Sequence, residues 1–365
     1  MAVALLGGVA IALGYLLLEG AWEPVYAGRW MLLTLSVLLI LLRTLWVHLG
    51  ENHRPAVPEL LPTLGIANLI SLLRGLLLAM LAGFLFSPWP PGRLALLPGA
   101  LYTAAVALDY ADGFAARLTN CPTVLGSTLD ITLDGLGTLI APLVAVWYGQ
   151  LPVWYLLVSA ARYLFLFGIW LRRRLGMPLR DLPPSAVRRA LAGVQFGFIS
   201  AVLWPVFKPP ATWIGATIFM LPFLAGFVRD WLIVSAVIDP ASLRYRRALQ
   251  TLTAITTAWV APALRGVVSL AALVFSAQML GRGAHPLLPT LTVIFALPIA
   301  CGLLGRLAAL LLLIVVGLHM STNGVDVISA LVVSSAILLL FTGTGRFSLW
   351  RPEDSFLTAQ YGKEF

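Results

Sequence analysis

Four aspartates carry the chemistry most legible in this chain. Asp109, Asp112, Asp130 and Asp134 fall within 26 residues, inside a sequence that is otherwise apolar. Asp109 and Asp112 are three residues apart and Asp130 and Asp134 four apart, so each pair shares a helix face. A short turn around Thr119–Thr123 lets the two faces meet. A carboxylate at the centre of a membrane helix costs about 2.5–3.5 kcal/mol, and less toward the interface. Four together also repel one another, so the cluster persists only if cations neutralise it, which Arg117 alone cannot do. A site with oxygen ligands only suits Mg²⁺ or Mn²⁺ rather than zinc, and Mg²⁺ keeps positions open for substrate phosphates. Gly113, Ala116 and Gly126 have little or no side chain and let a diphosphate or nucleotide approach the backbone. The same carboxylates also suit interhelical polar contacts or an ion path. A cation transporter or channel is therefore the alternative reading.

The elements that must position these residues are membrane helices. The chain has 365 residues, 60% hydrophobic and 11% charged, against about 25% charged in an ordinary soluble domain. The mean hydropathy is +0.94. Length alone would allow two or three domains. The net charge of +9 does not point to nucleic acid. The basic residues are almost all arginines lying between apolar runs, where they act as topology signals and lipid-phosphate contacts. The two cysteines are far apart, which gives no basis for a zinc site or disulfide framework. The first apolar run begins at Met1 without a basic segment and reads as a retained span.

A span needs about 20 apolar residues, and on that rule the expected fold is all-α and polytopic. Two spans come first, near 2–18 and 30–48. Six follow near 64–87, 94–117, 124–148, 152–171, 190–207 and 212–237. Four close the chain near 262–280, 287–303, 305–319 and 325–342, while 248–264 either spans or lies at the interface. The expected organisation is two anchoring helices in 1–58, a six-helix core over 59–240, a four-helix domain over 248–350 and a tail over 351–365. The arginines at 172–174, 180, 188 and 189, and again at 244, 246 and 247, mark cytoplasmic loops. That places the aspartates and both termini on the cytoplasmic side.

The run Asp109-x2-Asp112-Gly113-x2-Ala116-Arg117-x8-Gly126-x3-Asp130-x3-Asp134 resembles the signature of the CDP-alcohol phosphotransferase family at all eight fixed positions. Upstream, Asn68-Leu69-Ile70-Ser71-Leu72-Leu73-Arg74 resembles that family's first-helix pattern, with Ala67 in place of a proline and Ser71 in place of a threonine. The resemblance covers roughly residues 60–240 and implies a six-helix core. It implies that Asp109, Asp112 and Asp130 hold two divalent cations, Mg²⁺ or Mn²⁺, which bind the diphosphate of a CDP-alcohol donor. It makes Asp134 the base for the acceptor hydroxyl, and assigns Asn68, Arg74, Gly113, Ala116, Arg117 and Gly126 to the CDP side. CMP is the leaving product. The implied partners are a CDP-alcohol such as CDP-diacylglycerol, an alcohol acceptor and the bilayer, with room for a homodimer and no nucleic acid. The implied setting is phospholipid synthesis.

Arg162 and Arg229 lie in or near apolar spans and are candidates to grip an acceptor phosphate through their planar donor forks. Local pairing of Arg229 with Asp230 is the competing expectation. Arg188, Arg189 and Gln195 partly match a stretch found in phosphatidylglycerophosphate synthases. The last 100 residues resemble the four-helix DoxX-like membrane family through Leu264-Arg265-Gly266, Gly305-Arg306-Leu307-Ala308-Ala309 and Thr342-Gly343-Thr344-Gly345-Arg346-Phe347-Ser348-Leu349. That resemblance implies architecture more than chemistry. His319 and Asp326 are a candidate polar site there.

Overall fold

A computed structural model describes residues 2–55, 57, 59–118, 122–182 and 185–352, without side-chain placement for Ala2, Ala116, Arg117, Leu118 and Ala186. The chain is helical: α1 Ala2–Glu19, α2 Pro24–Val47, α3 Gly65–Ala82, α4 Leu97–Leu118, α5 Val124–Trp147, α6 Leu156–Arg174, α7 Ala186–Val202, α8 Ala211–Val234, α9 Leu243–Ile255, α10 Ala261–Gly281, α11 Leu287–Cys301, α12 Gly305–Asn323 and α13 Val327–Thr342. No β-strand occurs among the described residues, where only two isolated bridges are found. Among the described residues, eight helical stretches are long and apolar enough to cross a membrane, and three further apolar helices are shorter. Large side chains such as Leu6, Leu17, Leu32, Leu164 and Leu270 lie exposed. Apolar groups can face outward in such numbers only where the solvent is hydrocarbon. The protein is an integral, multi-pass helical membrane protein.

The packing divides the chain into two compact units, one of residues 1–159 with 196–205, the other of residues 160–195 with 206–365. In the first unit α3 is the central helix, touching α1, α2, α4 and α5. Its buried stripe changes character along its length. Asn68, Ser71 and Arg74 are buried in its first half, and Leu78, Ala79 and Ala82 in its second. Close packing at the end of α3 depends on its C-cap glycine. A Cβ on Gly83 would fall 2.4 Å from Thr34 Oγ1 and 2.5 Å from Trp30 Cδ1. The Trp30 indole N–H donates to the Met80 carbonyl at 3.0 Å, fastening α2 to α3. Helix α5 starts at Thr123, whose hydroxyl accepts from the Gly126 amide at 2.9 Å, an N-cap of the kind that satisfies an orphan donor.

In the second unit α10, α11, α12 and α13 each touch the next and α13 returns to α10, which closes a four-helix bundle. The segment 248–264, placed by sequence either across or along the membrane, is continuous helix. Helix α9 has no buried residue and carries Arg244, Arg246 and Arg247, and it runs into α10 through a π-turn at Thr256–Val260. The wider turn leaves the Thr257 carbonyl to accept from the Arg346 amide at 2.8 Å. Gly345 (φ +68°) comes so close that a Cβ would stand 2.7 Å from that same carbonyl oxygen.

Arg265 ties the bundle to the segment after α13. Its guanidinium is buried and donates to the carbonyls of Ala300 (2.8 Å), Thr344 (3.1 Å), Arg346 (3.1 Å) and Phe347 (3.4 Å), and to Ser348 Oγ (3.2 Å). Methionine in its place would fill similar volume and leave those acceptors unpaired. Arg265→Met is expected to destabilise the protein by about 2–4 kcal/mol, read as a lower midpoint of thermal unfolding in detergent.

Candidate active site

Three helices bring the site together at one end of the first unit. Helix α4 ends at Leu118 and α5 begins at Val124, so the aspartates lie within ten residues or so of the turn between them. At 1.5 Å per residue they occupy roughly the first 15 Å below that end. Asp109 and Asp112 project from α4, Asp130 and Asp134 from α5, and α3 lies against both helices. Oxygens of Asp109, Asp112 and Asp130 lie within 4.8 Å of one another. The two carboxylate pairs anticipated on separate helix faces therefore do meet.

Between them stands Arg74 of α3, whose side chain is 5% exposed. Its Nη1 lies 2.5 Å from Asp109 Oδ1 and 3.1 Å from Asp130 Oδ1, and its Nη2 lies 2.5 Å from Asp134 Oδ1. Asp112, the most buried of the four at 8%, instead accepts from Ser71 Oγ at 2.8 Å. The resemblance places Arg74 on the CDP side; in the structure it stands as counter-ion to three of the four aspartates. A planar guanidinium can serve several carboxylates at once because its five donors are fixed in direction. One guanidinium against four carboxylates still leaves a strongly anionic pocket when all are ionised. The donor set is oxygen only and the charge is uncompensated, which fits hard divalent cations.

A second layer fixes the start of α3 to the start of α5. Asn68 is buried, and its amide nitrogen donates to Asn52 Oδ1 (3.3 Å) and Thr123 Oγ1 (3.2 Å). Gly126 is where this layer closes, since a Cβ there would fall 2.7 Å from Asn68 Oδ1. Outside the spans, Glu51 accepts from Thr128 Oγ1 at 2.9 Å and pairs with His48 Nδ1 at 2.8 Å. The contacts with His48, then Thr128, hold the Glu51 carboxyl below its ordinary range. Sequence reading passed over Asn52, Glu51 and the hydroxyl of Ser71 as site residues. The polar character of the stretch after α2 was the only signal for the first two.

The remaining sequence candidates divide. Gly113 lies in α4 among the aspartates. The side chains of Ala116 and Arg117 lie outside the described residues. Arg162 and Arg229 belong to the second unit. There Arg229 pairs with Asp230 through Nε (3.1 Å) and Nη2 (2.8 Å), and Arg188 Nη1 reaches the other oxygen of Asp230 at 3.1 Å. Asp230 is 5% exposed, so the two arginines surround a buried carboxylate. The local pairing weighed for Arg229 is present. Asp326 caps α13 through Ser329 and pairs with Arg282 at 3.5 Å, while His319 Nδ1 contacts Asn323 at 3.2 Å.

Fold and site together define a class, a helical membrane protein with an aspartate-rich polar pocket built by three adjacent helices. Residues 64–238 match the family model of the CDP-alcohol phosphatidyltransferases, and this segment is a domain of that family. The matched segment draws on both packing units and leaves α1, α2 and the helices from α9 onward outside it. No curated protein and no solved structure matches the chain. Membership implies a transferase of phosphate-containing groups that works from a CDP-alcohol donor with divalent cations.

Removing Arg74 leaves Asp109, Asp130 and Asp134 without their guanidinium. Breaking a buried ion pair from one side costs about 3–5 kcal/mol. Arg74→Met is expected to lower the unfolding midpoint in metal-free detergent solution. Arg74→Lys should recover only part of the loss, because one ammonium cannot span the three carboxylates.

Proposed function

We propose that the chain transfers a phosphatidyl group from a lipid-linked CDP-alcohol, of the CDP-diacylglycerol type, to the hydroxyl of an acceptor alcohol. CMP leaves, and the product is a phospholipid. The observation that carries this reading is the meeting of Asp109, Asp112 and Asp130 within 4.8 Å, with Asp134 held beside them by Arg74.

In this reading Asp109, Asp112 and Asp130 hold two divalent cations, Mg²⁺ or Mn²⁺. Those ions, when bound, supply positive charge to the diphosphate and to the departing CMP. Arg74 orients three of the carboxylates and contributes a fixed positive charge at the same place. Gly113 and Gly126 give the diphosphate access to the backbone, and Asn68 shapes the CDP side. Asp134 accepts the proton of the acceptor hydroxyl as its oxygen attacks phosphorus and the bond to CMP breaks. A carboxylate is a weak base for an alcohol, so that transfer must accompany the attack. Arg162 and Arg229 remain candidates for an acceptor phosphate, with Asp230 neutralising part of the charge of Arg229.

The arginines that end α6 and those on α9 support a cytoplasmic location for their loops, and with them a cytoplasmic site and cytoplasmic termini. The closed bundle of α10–α13 supports reading 248–350 as a DoxX-like four-helix part of the chain. A cation path through the aspartates is disfavoured by Arg74, whose buried charge stands among them.

The test is CMP release by the purified chain, with a panel of CDP-alcohols and acceptors and with Mg²⁺ or Mn²⁺. Release should stop on chelation and return when the ion is restored. No CMP from any pair, together with cation flux in liposomes, would establish the transporter reading instead. Asp134→Asn should reduce turnover at least about 10²-fold, the scale of general base catalysis, while metal and CDP binding persist in calorimetry. Asp130→Asn should lose metal binding. Equal loss of metal binding in both variants would make Asp134 a ligand rather than the base.

A further inference from the structure

A second feature of the first unit lies on the other side of Ser71. Helices α1, α2, α3 and α5 line a partly open cavity of about 280 Å³, walled by Leu38, Leu41, Leu72 and Leu133 among other aliphatic residues, with the exposed Leu6 on its α1 side. The hydroxyl of Ser71 is its one polar side chain. Such a space would hold roughly nine waters by volume, yet apolar walls leave water without partners. It suits hydrocarbon.

The position of the cavity gives that hydrocarbon an identity. Ser71 lines the cavity and its hydroxyl donates to Asp112 Oδ2 at 2.8 Å. One residue thus belongs both to an apolar slot and to the aspartate cluster. Three residues along, Arg74 gathers Asp109, Asp130 and Asp134. A ligand reaching from the cluster into the slot must be an amphiphile with its charged part at the aspartates. The slot meets the cluster through Asp112, one of the three grouped carboxylates, and not through Asp134, where the acceptor hydroxyl would arrive. The chain in the slot would therefore belong to the donor.

We infer that the cavity between α1, α2, α3 and α5 holds an acyl chain of the lipid-linked CDP-alcohol donor, which rests on the transferase reading. Two of its walls, α1 and α2, lie outside the segment that matches the family. The first two helices therefore select the donor as well as anchoring the chain. Gly7 and Gly75 help to line the slot, and a Cβ on either would press on Leu38 or on Leu133 and Leu41.

The experiment uses the full chain in nanodiscs and a CDP-diacylglycerol with a diazirine in one acyl chain. Photo-adducts are mapped by mass spectrometry. Adducts should fall on the lining residues of α1, α2, α3 and α5. Leu38→Trp, which fills the slot, should cut them and raise KM for a long-chain donor roughly tenfold with kcat little changed, as if two or so methylenes had lost their burial. Leu32→Trp, on the exposed face of the same helix, should do neither. Shortening the acyl chains should raise KM in the wild type and matter less in Leu38→Trp. The inference is overturned if adducts spread over the lipid-facing surface and ignore Leu38→Trp. It is equally overturned if phosphatidylcholine bearing the same diazirine labels the slot as well as the donor does, which would make it a site for bulk lipid. Labelling needs no turnover. Slot labelling by the donor without CMP from any acceptor would count against the transferase reading and leave the donor-chain site standing. CMP release from long-chain and soluble donors with equal KM, and no slot labelling, would do the reverse.

Discussion

Four carboxylates cannot stay together in a helical membrane protein unless something positive stands among them, and here the chain itself provides Arg74. Its position follows from α3, which runs against both α4 and α5 and so is the helix able to reach Asp109, Asp130 and Asp134 at once. The arrangement explains why α3 is polar in its first half and apolar in its second. Asn68, Ser71 and Arg74 face the pocket and the turn, while Leu78, Ala79 and Ala82 close the core. The pocket retains excess negative charge even with Arg74 in place, which is the condition divalent cations and a diphosphate would meet together.

Arg265 solves a different problem with the same side chain. There the guanidinium meets backbone carbonyls after α13 and at the end of α11, groups that hydrocarbon cannot satisfy. Arg74 is set among charges and Arg265 among dipoles. In both cases several donors fixed in one plane gather acceptors from separate segments, which a lysine could not do. Asp230 inverts the pattern, a buried carboxylate held by Arg188 and Arg229.

Helices α1 and α2 had no chemical signature, and an anchoring role was the natural expectation for them. Their packing on α3 forms an apolar slot beside Ser71. Ser71 stood in the upstream pattern only as a substitute for threonine. Its hydroxyl turns out to join that slot to Asp112. Neither property is visible in a pattern of residue types, because both depend on which helix lies against which.

Sequence by itself determined the solvent, the helices and the chemistry on offer. Apolar runs in hydrocarbon can satisfy their backbone only as helices. The twelve runs read from sequence each meet one of α1–α8 or α10–α13, with the start of α2 lying at Pro24 rather than near 30, while eight helical stretches among the described residues have membrane length. The spacings of Asp109 with Asp112 and of Asp130 with Asp134 put each pair on one face for the same geometric reason. The segment 248–264 resisted, since its arginines and threonines fit both an interfacial helix and a span. Tertiary structure showed that it continues into α10 through a π-turn. Only the packing decided that Arg74 would be the partner of three aspartates, that Arg229 would turn to Asp230, and that Glu51 and Asn52 would reach α5 and α3. Periodicity records which residues share a face of one helix. It carries no record of which faces of different helices come into contact, and those contacts assemble the pocket.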